Sequence, residues 1–196
     1  MELQLREHLW TGLSIWIALY ISDYYFTIAC ARLYRSGVNE KIVFGGSYEL
    51  TPYFQADIDS LRKFSPRFFW ALLLSLFGLS LVWFLASSIQ LLELYSFLLG
   101  AMLLLQLAVH IRHMRNFLVF RAIAKSDAVR GRIEYSRFFS LRQSSYELMM
   151  FSALFAILAL VTYSVFVLGG VLSCASTAAK HWKLAKTAAR AASASA

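Results

Sequence analysis

Two prolines and two cysteines in 196 residues exclude a disulfide scaffold and argue against a loop-rich fold. Acids are also scarce. Eleven Asp and Glu face nineteen Lys and Arg, a formal net charge of +8, so the polar segments are basic. Charged residues of both signs make up only 15% of the chain, hydrophobic residues 59%, and the mean hydropathy is +0.59. A disordered chain and an ordinary cytosolic enzyme are both excluded, because neither carries so much apolar surface on so few charges. Motifs that carry chemistry are missing too: the sequence holds no Gly-x-Ser-x-Gly, no glycine-rich phosphate loop, no His-Glu-x-x-His and no Cys-x-x-Cys.

What the chain does contain is long apolar runs rich in rings, with aromatic residues at 16%. A bilayer core of about 30 Å needs about 20 apolar residues in a helix, the one single-segment structure that satisfies its own backbone amides in lipid. Four stretches qualify, at 9–30, 68–89, 91–111 and 148–174. They predict an all-α polytopic protein with four transmembrane helices and short amphipathic or irregular connections. The second and third run together but would overshoot a bilayer about twofold as one helix, so they form a hairpin. Its tip is the polar patch Ser87, Ser88, Gln90 and Glu93. The first span is not a cleaved leader: Glu2 and Glu7 stand where a basic region belongs, and Asp23, Tyr24 and Tyr25 interrupt the apolar stretch. Residues 1–175 read as one transmembrane domain and 176–196 as a basic, Ala-rich tail, partly disordered at its low-complexity end.

Lys and Arg number six between residues 31 and 67, none at the hairpin tip, and eight between 112 and 147. The positive-inside rule puts both long connections in the cytoplasm of a bacterial plasma membrane and, with four spans, both termini outside. The tail opposes this reading, because Lys180, Lys183, Lys186 and Arg190 would then be external. In this topology Cys30 and Cys174 lie on opposite sides and cannot pair within one chain; each reads as a small apolar residue near a helix end.

In the first connection, residues 41–50 have the composition of a small hairpin about Gly45-Gly46, and an irregular loop on the membrane is the plainer alternative. Phe54, Ile58, Leu61 and Phe64 then recur at helical spacing, predicting an interfacial amphipathic helix that ends at Ser65-Pro66. In the second connection the third helix continues through Met114, Phe117 and Leu118 before Gly131 breaks it. Basic residues among aromatics beside a membrane indicate headgroups rather than nucleic acid. The expected headgroup contacts are Arg62, Lys63, Arg112, Arg115, Arg121, Lys180 and Lys183, with bound lipid as the expected companion.

Ionisable groups inside a span are costly, about 2.5–3.5 kcal/mol for a central Asp, so each is a candidate for function. Asp23 is the clearest, with Tyr20 and Thr27 on its face. Gln106, His110 and His113 share one face of the third helix at the same depth, and Glu147 opens the fourth span near that level. Asp23, Thr27, Gln106, His110, His113 and Glu147 thus form an expected polar cluster. His110, His113 and Asp23 could supply three ligands to a metal ion, but Arg112 and Arg115 would oppose it. The simpler reading is structural: Asp23 accepts from His110, Gln106 or a tyrosine hydroxyl and fixes helix packing. Small residues, among them Ser75, Gly78, Ser152, Gly169 and Ser173, mark helix-packing faces.

Asp23-Tyr-Tyr-Phe-Thr27 followed by Tyr48-Glu-Leu-Thr-Pro52 resembles a pattern in uncharacterised small bacterial membrane proteins; it covers about thirty residues and implies no activity. The residues therefore predict a non-enzymatic accessory or scaffold subunit of a membrane complex or homo-oligomer, with no cofactor. Two alternatives remain: a small ion- or proton-coupled channel or carrier using Asp23 and His110, and an intramembrane metal-dependent enzyme.

Overall fold

The structure, a computed structural model, describes residues 2–126 and 129–194. The chain is about 82% helical, and four of its helical segments are long and apolar enough to cross a membrane. A short α1 (Glu2–Glu7) leads into α2 (Leu9–Leu33), which continues through a widened turn at Tyr34–Val38 into α3 (Asn39–Lys41). Gly37 adopts φ +130° in that turn, a conformation an L side chain resists. Then come β1 (Ile42–Phe44), α4 (Gln55–Asp59), α5 (Pro66–Ser88), α6 (Leu92–Lys125), β2 (Ile133–Tyr135), α7 (Arg137–Thr162) and α8 (Val165–Ala194).

The hairpin between the second and third spans is present. The α5 helix starts on Ser65, whose hydroxyl accepts from Phe68 N–H at 3.2 Å, with Pro66 in the first turn, where its missing N–H is harmless. It ends at a three-residue tip in which Gln90 is left-handed (φ +56°). The α6 helix runs on from the predicted third span to Lys125, as its continued periodicity requires.

The fourth span departs from the expectation of one helix over 148–174. Tyr163 turns left-handed (φ +52°) and ends α7, and the Ser164 hydroxyl accepts from Val167 N–H at 3.1 Å to start α8. Hydropathy is continuous across this point, so a tight turn without glycine or proline went unseen. The two helices then pack antiparallel along their length, with Ser152 donating to Val171 O at 2.9 Å and Ser145 to Ala178 O at 2.8 Å. As a result the tail comes back beside the start of α7, where the Arg142 guanidinium lies 4.7 Å from the Trp182 ring. The first described helix, beside Glu93, and the C-terminal part of α8, beside Ser144, thus lie at opposite ends of the bundle, against the expectation of both on one side. Ala191–Ala194, read from composition as disordered, continue α8; residues 195–196 lie outside the described residues.

The α2, α6 and α8 helices run parallel, and α5 and α7 run against them. Close approach is set by glycines: a Cβ on Gly100 would collide with the Phe166 carbonyl, and one on Gly169 with the Phe97 carbonyl, so α6 and α8 touch backbone to backbone. Trp16 donates from Nε1 to Ser75 Oγ at 2.8 Å, tying α2 to α5. Cys30 and Cys174 are both buried and free, Cys174 packing with Ala108 and Phe155 inside the bundle rather than marking an outer end.

The connections differ from expectation in two further ways. Residues 41–50 form no hairpin. Only Ile42–Phe44 is a strand, and it pairs in parallel with Ile133–Tyr135 of the second connection (Ile42 with Ile133, Phe44 with Tyr135). The amphipathic helix predicted over 54–64 shrinks to α4, because Leu61 turns left-handed (φ +51°) and buried Asp57 accepts from Ser65 Oγ at 2.6 Å, folding the segment back on itself.

Candidate functional site

Where the apolar spans give way to the basic end of the bundle, α2, α6, α7 and α8 surround a cavity of about 550 Å³ roofed by the first connection. Its size falls in the range of small-molecule sites, about 300–1,000 Å³. Asp23 and Thr27 reach it from α2, Gln106, Arg112 and His113 from α6, Glu147 from α7 and His181 from α8. Most of the polar cluster expected from the sequence therefore converges on one space, although its pairings differ from those foreseen.

Asp23 is bound by His113. Their Oδ1 and Nδ1 atoms are 2.7 Å apart, whereas the His110 Nδ1 stands at 3.8 Å and makes no hydrogen bond, its ring instead meeting Phe26 edge to face at 4.9 Å between centroids. The i, i+4 step from α6 residue 106 suggested His110, but α2 crosses α6 one turn closer to the basic end. Thr27 supports the pair: its hydroxyl lies 3.1 Å from His113 Nδ1 and 2.9 Å from the Asp23 carbonyl, which accepts from it. Gln106 lines the cavity without bonding to Asp23.

Glu147 belongs to a second, separate cluster. Arg112 Nε donates to its Oε2 at 2.6 Å, Arg115 donates to its Oε1 at 2.5 Å, and Gln143 Nε2 adds a third bond at 3.2 Å. Two arginines expected at headgroup level thus turn inward on a carboxylate whose side chain is 11% exposed. Arg62 lies 3.4 Å from Asp57. Among the described residues no group of three or more His, Cys, Asp or Glu is arranged to hold a metal ion. His110, His113 and Asp23 meet, but as a hydrogen-bonded pair with a bystander imidazole.

Three residues of the site were not among the site candidates read from the sequence. Arg137, the first residue of α7, donates to the carbonyls of Ser47 (3.1 Å), Glu49 (3.3 Å) and Leu50 (3.1 Å), clamping the first connection over the cavity. Tyr48, beneath that clamp, accepts from Asn116 Nδ2 at 3.4 Å, and burial pushes its phenol well above the ordinary range. His181 sits 2.7 Å from Ser144 Oγ. Burial, and then Arg112, Lys180 and Arg137, push its imidazole down to about 4, so it is neutral at pH 7. Arg137 was visible only as one basic residue of eight, and His181 only as part of a tail that an unbroken fourth span would have carried away.

The chain matches no protein-family model, no curated protein and no solved structure. The reading of function therefore rests on the geometry alone. What that geometry can do is bind. The acids within the spans are already held by bases, and the cavity offers both an apolar wall and a charged one.

Proposed function

We propose that this is a non-enzymatic integral membrane protein of the bacterial plasma membrane, an accessory or scaffold subunit of a larger assembly or of a homo-oligomer. The observation that carries the reading is the closure of its intramembrane polar groups on one another, Asp23 on His113 and Glu147 on Arg112 and Arg115. Paired in this way they lock helices together, and neither of these two carboxylates is left free to act as a base. Outward, α5 presents Trp70, Leu74, Phe77 and Phe84 to lipid or a neighbouring subunit.

Topology is part of the proposal. The α8 helix is not among the four segments apolar enough to cross by composition, but it runs back along α7; counted as a fifth crossing, it puts six Lys and Arg of the first connection, eight of the second and four of the tail on one side and leaves Arg6 alone on the other. The tail that opposed a four-span reading now agrees with it, so the connections and the C-terminus face the cytoplasm and the N-terminus faces outward. Headgroup contact by Lys63, Arg121 and Lys183 fits the same side. Single cysteines test this directly, because both native thiols are buried. A cysteine at Ala189 should react with an impermeant maleimide only after the cells are opened, and one at Gln90 in intact cells; the reverse pattern overturns the orientation.

Copurification in mild detergent tests the role. A stoichiometric partner or a defined homo-oligomer is expected, and a monodisperse monomer without a partner would overturn the subunit reading. A second reading, a proton-linked carrier, is favoured by one observation: the Asp23–His113 pair lines the cavity. Asp23→Asn should leave a scaffold assembled; loss of a proton-linked flux would favour the carrier instead.

A further inference from the structure

We infer that the cavity is a discrete binding site for one amphiphile carrying a single negatively charged phosphate group, seated between α2 and α7. This goes beyond general headgroup contact, and it stands whether the protein is a subunit or a carrier.

Position is the first argument. The α7 helix packs on α8, and α2 on α6 and α5; α2 and α7 have no substantial packing on each other, and the cavity fills the gap between them. It lies at the level where apolar spans meet the basic end, where an amphiphile places the junction of head and tail.

The walls are divided in the same sense. On the α2 side Tyr20 stacks on Phe68 at 4.6 Å between centroids, and Tyr24 lies 4.4 Å from the same ring, making an aromatic face suited to hydrocarbon. Opposite stand the cations. Arg112, Arg115, Arg137 and Lys180 line the cavity against three carboxylates, Asp23, Glu49 and Glu147. Those four cations outnumber the three carboxylates by one, and one anion balances that surplus.

That surplus has a place. Arg115 and Arg137 spend their terminal nitrogens on Glu147, Asn116 and the carbonyls of the first connection, and Arg112 spends only its Nε. Among the described residues the Lys180 ammonium has no hydrogen-bond or ion-pair partner. Lys180 and the terminal nitrogens of Arg112 are therefore the donors open to a ligand. Guanidinium and ammonium donors together are the set that recognises phosphate oxygens. Gln143, with one Nε2 hydrogen left over from its bond to Glu147, adds a neutral donor on the same wall.

The test uses the full-length protein, delipidated in mild detergent and followed by native mass spectrometry. Three probes are compared: phosphatidylglycerol, phosphatidylcholine with the same acyl chains, and sodium phosphate. One equivalent of phosphatidylglycerol should be retained at least tenfold more tightly than phosphatidylcholine. Lys180→Gln should lose at least tenfold of that preference, and Ser140→Trp, which fills the cavity, should abolish binding. Both variants should keep the wild-type unfolding temperature, which separates loss of the site from loss of the fold. Displacement by millimolar sodium phosphate would uphold the anion site and assign it to soluble phosphate esters rather than lipid. Equal retention of the two lipids, or undiminished phosphatidylglycerol binding in both variants, would overturn the proposal.

Discussion

The α6 and α8 helices meet in two different ways along their shared length. Toward the end where α8 begins they touch through Gly100 and Gly169, with no side chain between the backbones. Toward the basic end residues of both helices line a cavity, and α6 adds ion pairs and hydrogen bonds to α7 and α2. One half is held by shape, which lipid cannot imitate; the other by charge, which water or a ligand can enter. Rigidity and binding are thereby assigned to opposite halves of the same helix pair.

The sharpest way to break this division is at the glycines. Gly100→Ala and Gly169→Ala should each destabilise by about 3 kcal/mol, because the added methyl would overlap a carbonyl that backbone alone can move. Gly78 is the control: a Cβ there meets nothing within 4 Å, so Gly78→Ala should be neutral or slightly stabilising. Thermal unfolding in detergent reads all three. Glu147→Gln comes next. It leaves Arg112, 17% exposed, without its counter-charge, and should cost about 2–3 kcal/mol, less than a fully buried pair because Arg115 is 49% exposed.

Smaller effects separate the two histidines of α6. His113→Ala removes the Asp23 bond and should cost about 1 kcal/mol, with His110→Ala clearly less, since the His110 Nδ1 makes no hydrogen bond and stands 3.8 Å from Asp23. An equal loss from both would show that Asp23 shares its proton donor. The mildest effect is on pH dependence. His181 is held down to about 4 from an ordinary 6.5, so below pH 6.5 the unfolded chain takes up a proton that the folded chain refuses. Its share of stability is complete above pH 6.5 and is lost as pH falls toward 4. A His181→Gln variant should show a shallower acid decline than wild type over that interval.

Much of the bundle was legible because lipid imposes a single rule, about twenty apolar residues per crossing, and the chain obeys it with few interruptions. The α5–α6 hairpin was readable from a polar tip of a few residues. The α7–α8 turn was not, since Tyr163 and Ser164 break the backbone without breaking hydropathy. That one omission sent the tail to the wrong end and hid His181 from the site. Asp23 could be named from burial cost, and Thr27, His113 and Glu147 from the faces and depth they share with it. Their pairing could not, because it depends on where α2 crosses α6, to within one helical turn. The strands were lost for a related reason: Ile42–Phe44 finds its partner some ninety residues away, and local composition pointed to a nearer one.

That distant partner has a consequence for synthesis. Ile42–Phe44 and the carbonyls of Ser47, Glu49 and Leu50 leave the ribosome long before Ile133–Tyr135 and Arg137 do, an interval of roughly 5–20 s at ordinary elongation rates. Throughout that wait the roof has an open strand edge and three unclaimed acceptors. A nascent chain stalled before Arg137 should therefore be open to proteases at the first connection, even with its first three crossings already in place.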